Sequence, residues 1–254
     1  MKRICFLSLK GGTGKTTTVF NVAANMVKKG LRVLAVDLDP QGYLTCSLGE
    51  STSEGRKNVH DVIKGTPIRQ AIRETESGVH LLAADLELTT ADLFLEGDHR
   101  ELYIKKAIKD LDYDVIVFDC CPFLGILSLN ALVAADELVI PTEPEFLAMR
   151  GVRQLYLKVV QLVQKDLNPE LKFSGVVITR FDTRKKIHHE TAFKIARMFG
   201  EKVFDTKIRT NVALAQASAI AKSVFDHAPS SNGAFDYNAL SEEIMQRYEL
   251  EAKE

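Results

Sequence analysis

The chain has few cysteines, no long apolar run and almost no net charge, and each shortage removes a class of function. Its four cysteines, two of them adjacent at Cys120 and Cys121, have neither the spacing of a metal site nor the density of a disulfide framework. That fits a protein of the reducing cytoplasm. The apolar run at the N-terminus is broken at Lys10, too early for a signal peptide, and no segment approaches the length of a membrane span. A net charge of −1 gives no global argument for a nucleic-acid partner. Repeats and low-complexity stretches are absent. What remains is 254 residues, 46% hydrophobic and 26% charged, enough for one large α/β domain over residues 1–254 and not for a second independent one.

The most informative stretch is Lys10-Gly11-Gly12-Thr13-Gly14-Lys15-Thr16-Thr17, between an apolar run over residues 4–9 and a helical pattern. It reads as a phosphate-binding loop. The ordinary pattern wants glycine six positions before the lysine, where this chain has Leu9. In return it has a second lysine, Lys10, with no obvious role inside its own site. Gly11, Gly12 and Gly14 permit positive φ and remove Cβ atoms that would keep backbone N–H groups from phosphate oxygens. The following helix aims its dipole at the same anion. Lys15 supplies a mobile charge to the β- and γ-phosphates, and the Thr16 hydroxyl is placed to ligate Mg²⁺.

Helical spacing of Val19, Phe20, Val22, Ala23, Met26 and Val27 predicts the helix that carries this loop, stopped at Lys28-Lys29-Gly30. Residues 31–36 and 114–119 read as buried parallel strands whose carboxyl ends present Asp37 with Asp39, and Asp119. In open α/β sheets ligands gather at those ends. Asp119 has the form of a Walker B aspartate, which reaches Mg²⁺ through water. The alternative for Asp37 is an Asx turn before Pro40.

Elsewhere, residues 52–58 read as a loop, 79–83 as a short strand, and the rest of 43–95 as short helices. Helices are expected over residues 102–111, 124–135, 145–165 and 239–250, and strands over 137–141 and 173–179. This alternation predicts an α/β P-loop NTPase fold in three layers, a mostly parallel twisted sheet with helices on both faces. Residues 180–209 hold nine lysines and arginines against four acids, a local balance of +5. That is either a solvated face or an electrostatic footprint for phosphate backbones.

Together these residues resemble the ParA/Soj family of deviant Walker A ATPases, over nearly the whole chain. Residues 10–17 match the family loop, Val36-Asp37-Leu38-Asp39-Pro40-Gln41-Gly42 its second motif, and Phe118-Asp119 with Leu124-Gly125 and Asn130-Ala131-Leu132 its Walker B region. The resemblance implies ATP and Mg²⁺ as cofactors and a homodimer in the ATP state, with Lys10 reaching across to the partner's phosphates. It implies that Lys10, Lys15 and Asp39 are catalytic, Asp39 by positioning water. Residues 10–17 and Asn211 would bind nucleotide, and Thr16, Asp37 and Asp119 would lie at the metal. It further implies nonspecific binding of double-stranded DNA, hydrolysis stimulated by a ParB-like adaptor, and a cytoplasmic, nucleoid-associated role in segregating chromosome or plasmid. Positioning of a protein cargo over the nucleoid is the neighbouring reading. MinD-like cycling on membranes is another, opposed by the acidic charge of the last helix.

The chain departs from the family pattern in two places. Cys121-Pro122-Phe123 replaces Pro-Pro-Ser, and Arg209-Thr210-Asn211-Val212-Ala213 replaces Pro-Arg-Asn-Val-Arg. The second change removes two arginines, leaving Arg184, Lys185, Lys186, Lys207, Arg209 and Lys222 as candidate DNA contacts.

Overall fold

A computed structural model describes residues 1–51, 55–95 and 97–251. Strands β1 (Lys2–Phe6), β2 (Val33–Leu38), β3 (Ile72–Glu74), β4 (His80–Leu82), β5 (Val115–Cys120), β6 (Glu137–Thr142), β7 (Lys172–Phe181) and β8 (Val203–Arg209) form one sheet. Their order is β3-β4-β2-β5-β1-β6-β7-β8, and among the described residues only the β3–β4 pair is antiparallel. The expected mostly parallel, helix-covered sheet is present.

Both faces of the central strands are covered, which is why their sequences are continuously apolar. Val33 and Ala35 of β2, with Val115 and Val117 of β5, pack with Val19, Phe20 and Met26 of helix α1 (Lys15–Lys28). Their neighbours Leu34, Val36, Ile116 and Phe118 face the other way, against Leu127 and Leu132 of the helix Ile126–Ala134. Burying each such large side chain contributes about 1.5–3 kcal/mol. Asp37 and Asp119 are register partners with the parity of Val33 and Val115, so both carboxylates emerge on the α1 side. β1 connects to β2 past β5, whereas β5 connects to β6 past β1. Those opposite crossovers open a crevice at the carboxyl ends of β1 and β5, where the glycine-rich loop sits.

Several elements differ from their sequence expectation. The helix expected over 102–111 is a 3₁₀ turn, Arg100–Leu102, and a short helix, Tyr103–Ala107. Buried Asn130 pins both, accepting from Ile104 N and donating to Arg100 O. Residues 145–165 are helical from Phe146 to Asp166, with a π-helical stretch at Tyr156–Val160. Of the loop expected over 52–58, residues 52–54 lie outside the described residues, and Asn58 caps the helix Val59–Ile63. The basic interval contains two ordered elements not anticipated, the helix Lys186–Phe199 and β8. β8 is a sheet edge that is only partly buried, so it has no continuous apolar run to announce it. Among the described residues, no helix is long and apolar enough to cross a membrane.

Candidate nucleotide-binding site

The loop between β1 and α1 has the conformation its glycines were expected to provide, at two positions of three. Gly12 and Gly14 take φ values of 81° and 74°, in the left-handed region. Gly11 does not. A Cβ at Gly11 would meet no atom within 4 Å, so the fold itself does not demand glycine there. Gly14 is the N-cap of α1 and leaves the helix without a side-chain cap, with its first N–H groups free for an anion. Thr13 Oγ1 is buried without a partner.

Lys15 is 7% exposed and forms an ion pair with fully buried Asp119. Thr16 Oγ1 donates to the second Asp119 oxygen at 2.7 Å. Burial pulls the Lys15 pKa down, but the charge and hydrogen bond of Asp119 outweigh it and hold the ammonium above its ordinary value. The three residues form a preassembled unit. Lys15 and Thr16 occupy the two oxygens of Asp119, one each, at the start of α1. The orphaned Thr13 hydroxyl, the uncapped helix and this donor set fit a nucleoside triphosphate with Mg²⁺.

Asp37, expected at the metal, has both carboxylate oxygens in hydrogen bonds. One oxygen accepts from Asp39 N at 3.1 Å, and the other accepts from Thr45 N at 2.9 Å and Thr45 Oγ1 at 2.8 Å. It is fully buried, and burial, followed by the neighbouring charge of Asp119, pushes its pKa up to about 7. Asp37 therefore braces the segment that carries Asp39, tying it to helix α2 (Tyr43–Ser47). Asp39 has one oxygen accepting from Gln41 N at 3.0 Å and lines the cavity in front of the loop.

The loop is strapped to the ends of β6 and β7. Thr179 Oγ1 lies 2.7 Å from Thr13 O and 3.1 Å from Thr142 O, sharing one proton between two carbonyls. Arg180 Nη1 donates to Gly12 O at 2.8 Å. Lys10 lines the same cavity as Asp39, but its ammonium is held by acids beyond the loop. Its ammonium donates to Glu143 and Glu145, both at 2.7 Å, and those bonds, Glu143 first, raise its pKa. Its side chain remains 45% exposed.

The loop, Asp39 and residues 208–211 enclose a cavity of about 480 Å³. Asn211 also lines it, and its side-chain oxygen caps the helix Val212–Ala219 by accepting from Ala213 N at 2.9 Å, so the cap does not use its amide NH₂. Arg209, a candidate DNA contact, is held by an acid of its own chain. It lines the same cavity, and its backbone N and guanidinium all donate to Asp236, with Nη2 at 2.6 Å. Of the other candidate DNA residues, Arg184 is paired with Asp182, Lys186 lies 3.7 Å from Glu190, and Lys207 approaches Asp205 O at 3.5 Å. Lys185 precedes the helix Lys186–Phe199, and Lys222 follows the helix Val212–Ala219.

Thr45 and Glu143 were not singled out from the sequence, and Thr179 and Arg180 were noted only within a lesser stretch of the resemblance and the basic interval, with no role at the loop. The last three sit at the carboxyl ends of strands, the signal that found Asp39 and Asp119. Applied to every strand, it would have found these too.

An AAA-domain family model matches residues 1–173. The chain is 40% identical over 247 residues to the chromosome-partitioning ATPase Soj of Thermus thermophilus, covering 97% of this chain and 96% of that one. It is 36% identical over 249 residues to the chromosome partitioning protein ParA of Myxococcus xanthus, covering 96% and 88%. Among solved structures, a Mycobacterium smegmatis protein described as cobyrinic acid a,c-diamide synthase, with bound ATP analogue and magnesium, superposes with a TM-score of 0.86 at 33% identity. That match covers 98% of this chain and 96% of the other. Loop, acids and sheet order thus agree with near full-length similarity, and the chain belongs to the ParA/Soj family of deviant Walker A ATPases.

Proposed function

We propose that this chain is a Mg²⁺-dependent ATPase that dimerises with ATP, binds double-stranded DNA without sequence preference, and segregates or positions chromosome or plasmid. The observation that carries the reading is the placement of Lys10. Support comes from its ammonium, which is held by Glu143 and Glu145 and not by its own loop, in a side chain 45% exposed and so accessible to a phosphate of a second chain.

In this account Lys15 exchanges Asp119 for the β- and γ-phosphates, Thr13 and the uncapped start of α1 take further phosphate oxygens, and Asn211 donates to the base. Bound Mg²⁺, held by Thr16 and by Asp119 through water, would neutralise charge on the phosphates. Asp39 orients the attacking water. Loss of the γ-phosphate removes what Lys10 bridges, so the ammonium returns to Glu143 and Glu145 and the dimer separates. A ParB-like adaptor would accelerate that step. A protein cargo over the nucleoid would use the same cycle with a different adaptor. Membrane cycling is disfavoured, because the apolar side of the helix Asn232–Arg247 is already buried, with Leu240 and Ile244 in the core.

The test is binding to random-sequence duplex DNA at low salt. Binding is expected with Mg-ATP and not with Mg-ADP or without nucleotide, weakening steeply as salt rises because affinity rests on neutralised phosphates. No binding in any state would remove DNA from the account, and equal binding in all three would remove its control by nucleotide.

A further inference from the structure

Glu143 carries two cations on one carboxylate. Its Oε2 accepts from Lys10 Nζ at 2.7 Å, and its Oε1 lies 3.2 Å from Arg180 Nη1. The cations differ in freedom. Arg180 is also anchored on Gly12 O at 2.8 Å, and its backbone sits at φ 50°, a left-handed conformation uncommon outside glycine. Lys10 is a flexible stem whose other acceptor, Glu145, is 52% exposed. A guanidinium bonded to the loop backbone and an ammonium on a flexible stem therefore share one carboxylate, and the guanidinium keeps its bond to Gly12 O when the ammonium leaves.

Resting on the reading that Lys10 serves a partner's phosphates, we propose that Arg180 is a positioning residue that sets how readily Lys10 leaves its own chain. By neutralising Glu143 in place, Arg180 weakens the hold of Glu143 on Lys10. It also leaves Glu143, only 13% exposed, with a counter-ion once Lys10 has gone. Exposed Glu145 is resolvated by water. Without Arg180, departure of Lys10 strands a shielded carboxylate, so Lys10 stays.

Two readouts test this. In the nucleotide-free protein, the rate at which a water-soluble acetylating reagent modifies Lys10, followed by peptide mass spectrometry, reports how often the amine is released. Arg180→Ala is expected to slow it about three- to fivefold, the range for a partly exposed ion pair, and Glu143→Gln to speed it by a similar factor. The ATP concentration for half-maximal dimerisation should rise by the same factor in Arg180→Ala. Adding Arg180→Ala to Glu143→Gln should leave the labelling rate of Lys10 unchanged, because the carboxylate through which Arg180 acts is no longer charged. Equal effects of Arg180→Ala in both backgrounds would overturn the proposal and make Arg180 only a strap on Gly12. No effect in the native background would overturn it as well. If labelling behaves as expected but ATP produces no dimer, the coupling stands and the dimer reading falls.

Discussion

Lys15→Ala is expected to lose ATP binding by about 10²-fold and, separately, to unfold at lower denaturant. The affinity loss corresponds to the ~2–5 kcal/mol typical of truncating one partner of a desolvated charge pair. The stability loss has a different origin. Asp119 is fully buried, and without the ammonium only Thr16 faces its carboxylate. Leaving a buried charge without its partner costs about 3–5 kcal/mol. Equilibrium urea unfolding of the nucleotide-free protein measures it, and the double variant Lys15→Ala/Asp119→Asn should recover a large part of the stability without recovering ATP binding. Equal stability of Lys15→Ala and wild type would mean that Asp119 is not held by Lys15.

Asp39→Ala should separate binding from turnover. The side chain lines the cavity and has no role in holding the loop, whose straps come from Thr179, Arg180 and α1. ATP binding and ATP-dependent dimerisation are expected to survive, while single-turnover hydrolysis falls by about 10²–10⁴-fold, the usual worth of a group that positions or deprotonates a nucleophile. The dimer should then persist for the lifetime of bound ATP. The neighbouring variant Asp37→Ala should instead lose folding stability, since Asp37 holds Thr45 and the Asp39 backbone rather than facing the cavity. Hydrolysis at the native rate in Asp39→Ala would remove Asp39 from the chemistry.

The parts legible in the sequence were those where one local pattern has one structural outcome. Strands buried on both faces, such as β2 and β5, must be apolar throughout, and an acid ending such a strand must emerge at its carboxyl end. Two of the loop glycines are required by backbone conformation, so the loop was readable residue by residue. β8 and the helix Lys186–Phe199 were obscured because partly exposed elements carry a mixed pattern, and the density of lysine and arginine drew attention to charge instead. Asp37 and Asp39 are two residues apart and chemically identical, and nothing local distinguishes them. Thr45, folded back onto Asp37, makes the difference. The same holds for Lys10, whose acceptors lie 133 and 135 residues away in the chain. Arg209 likewise finds its acceptor, Asp236, 27 residues further along the chain, which no local pattern announces.

The central claim is that Lys10 closes a dimer through ATP, and the mass of the particle in solution tests it most directly. Sedimentation velocity of wild type and Lys10→Ala, each with Mg-ATP and with Mg-ADP, should show a wild-type dimer with ATP alone. Lys10→Ala should remain a monomer in both while still binding ATP through Lys15. A Lys10→Ala protein that dimerises with ATP as wild type does, or a wild type that stays monomeric with ATP, would contradict the account.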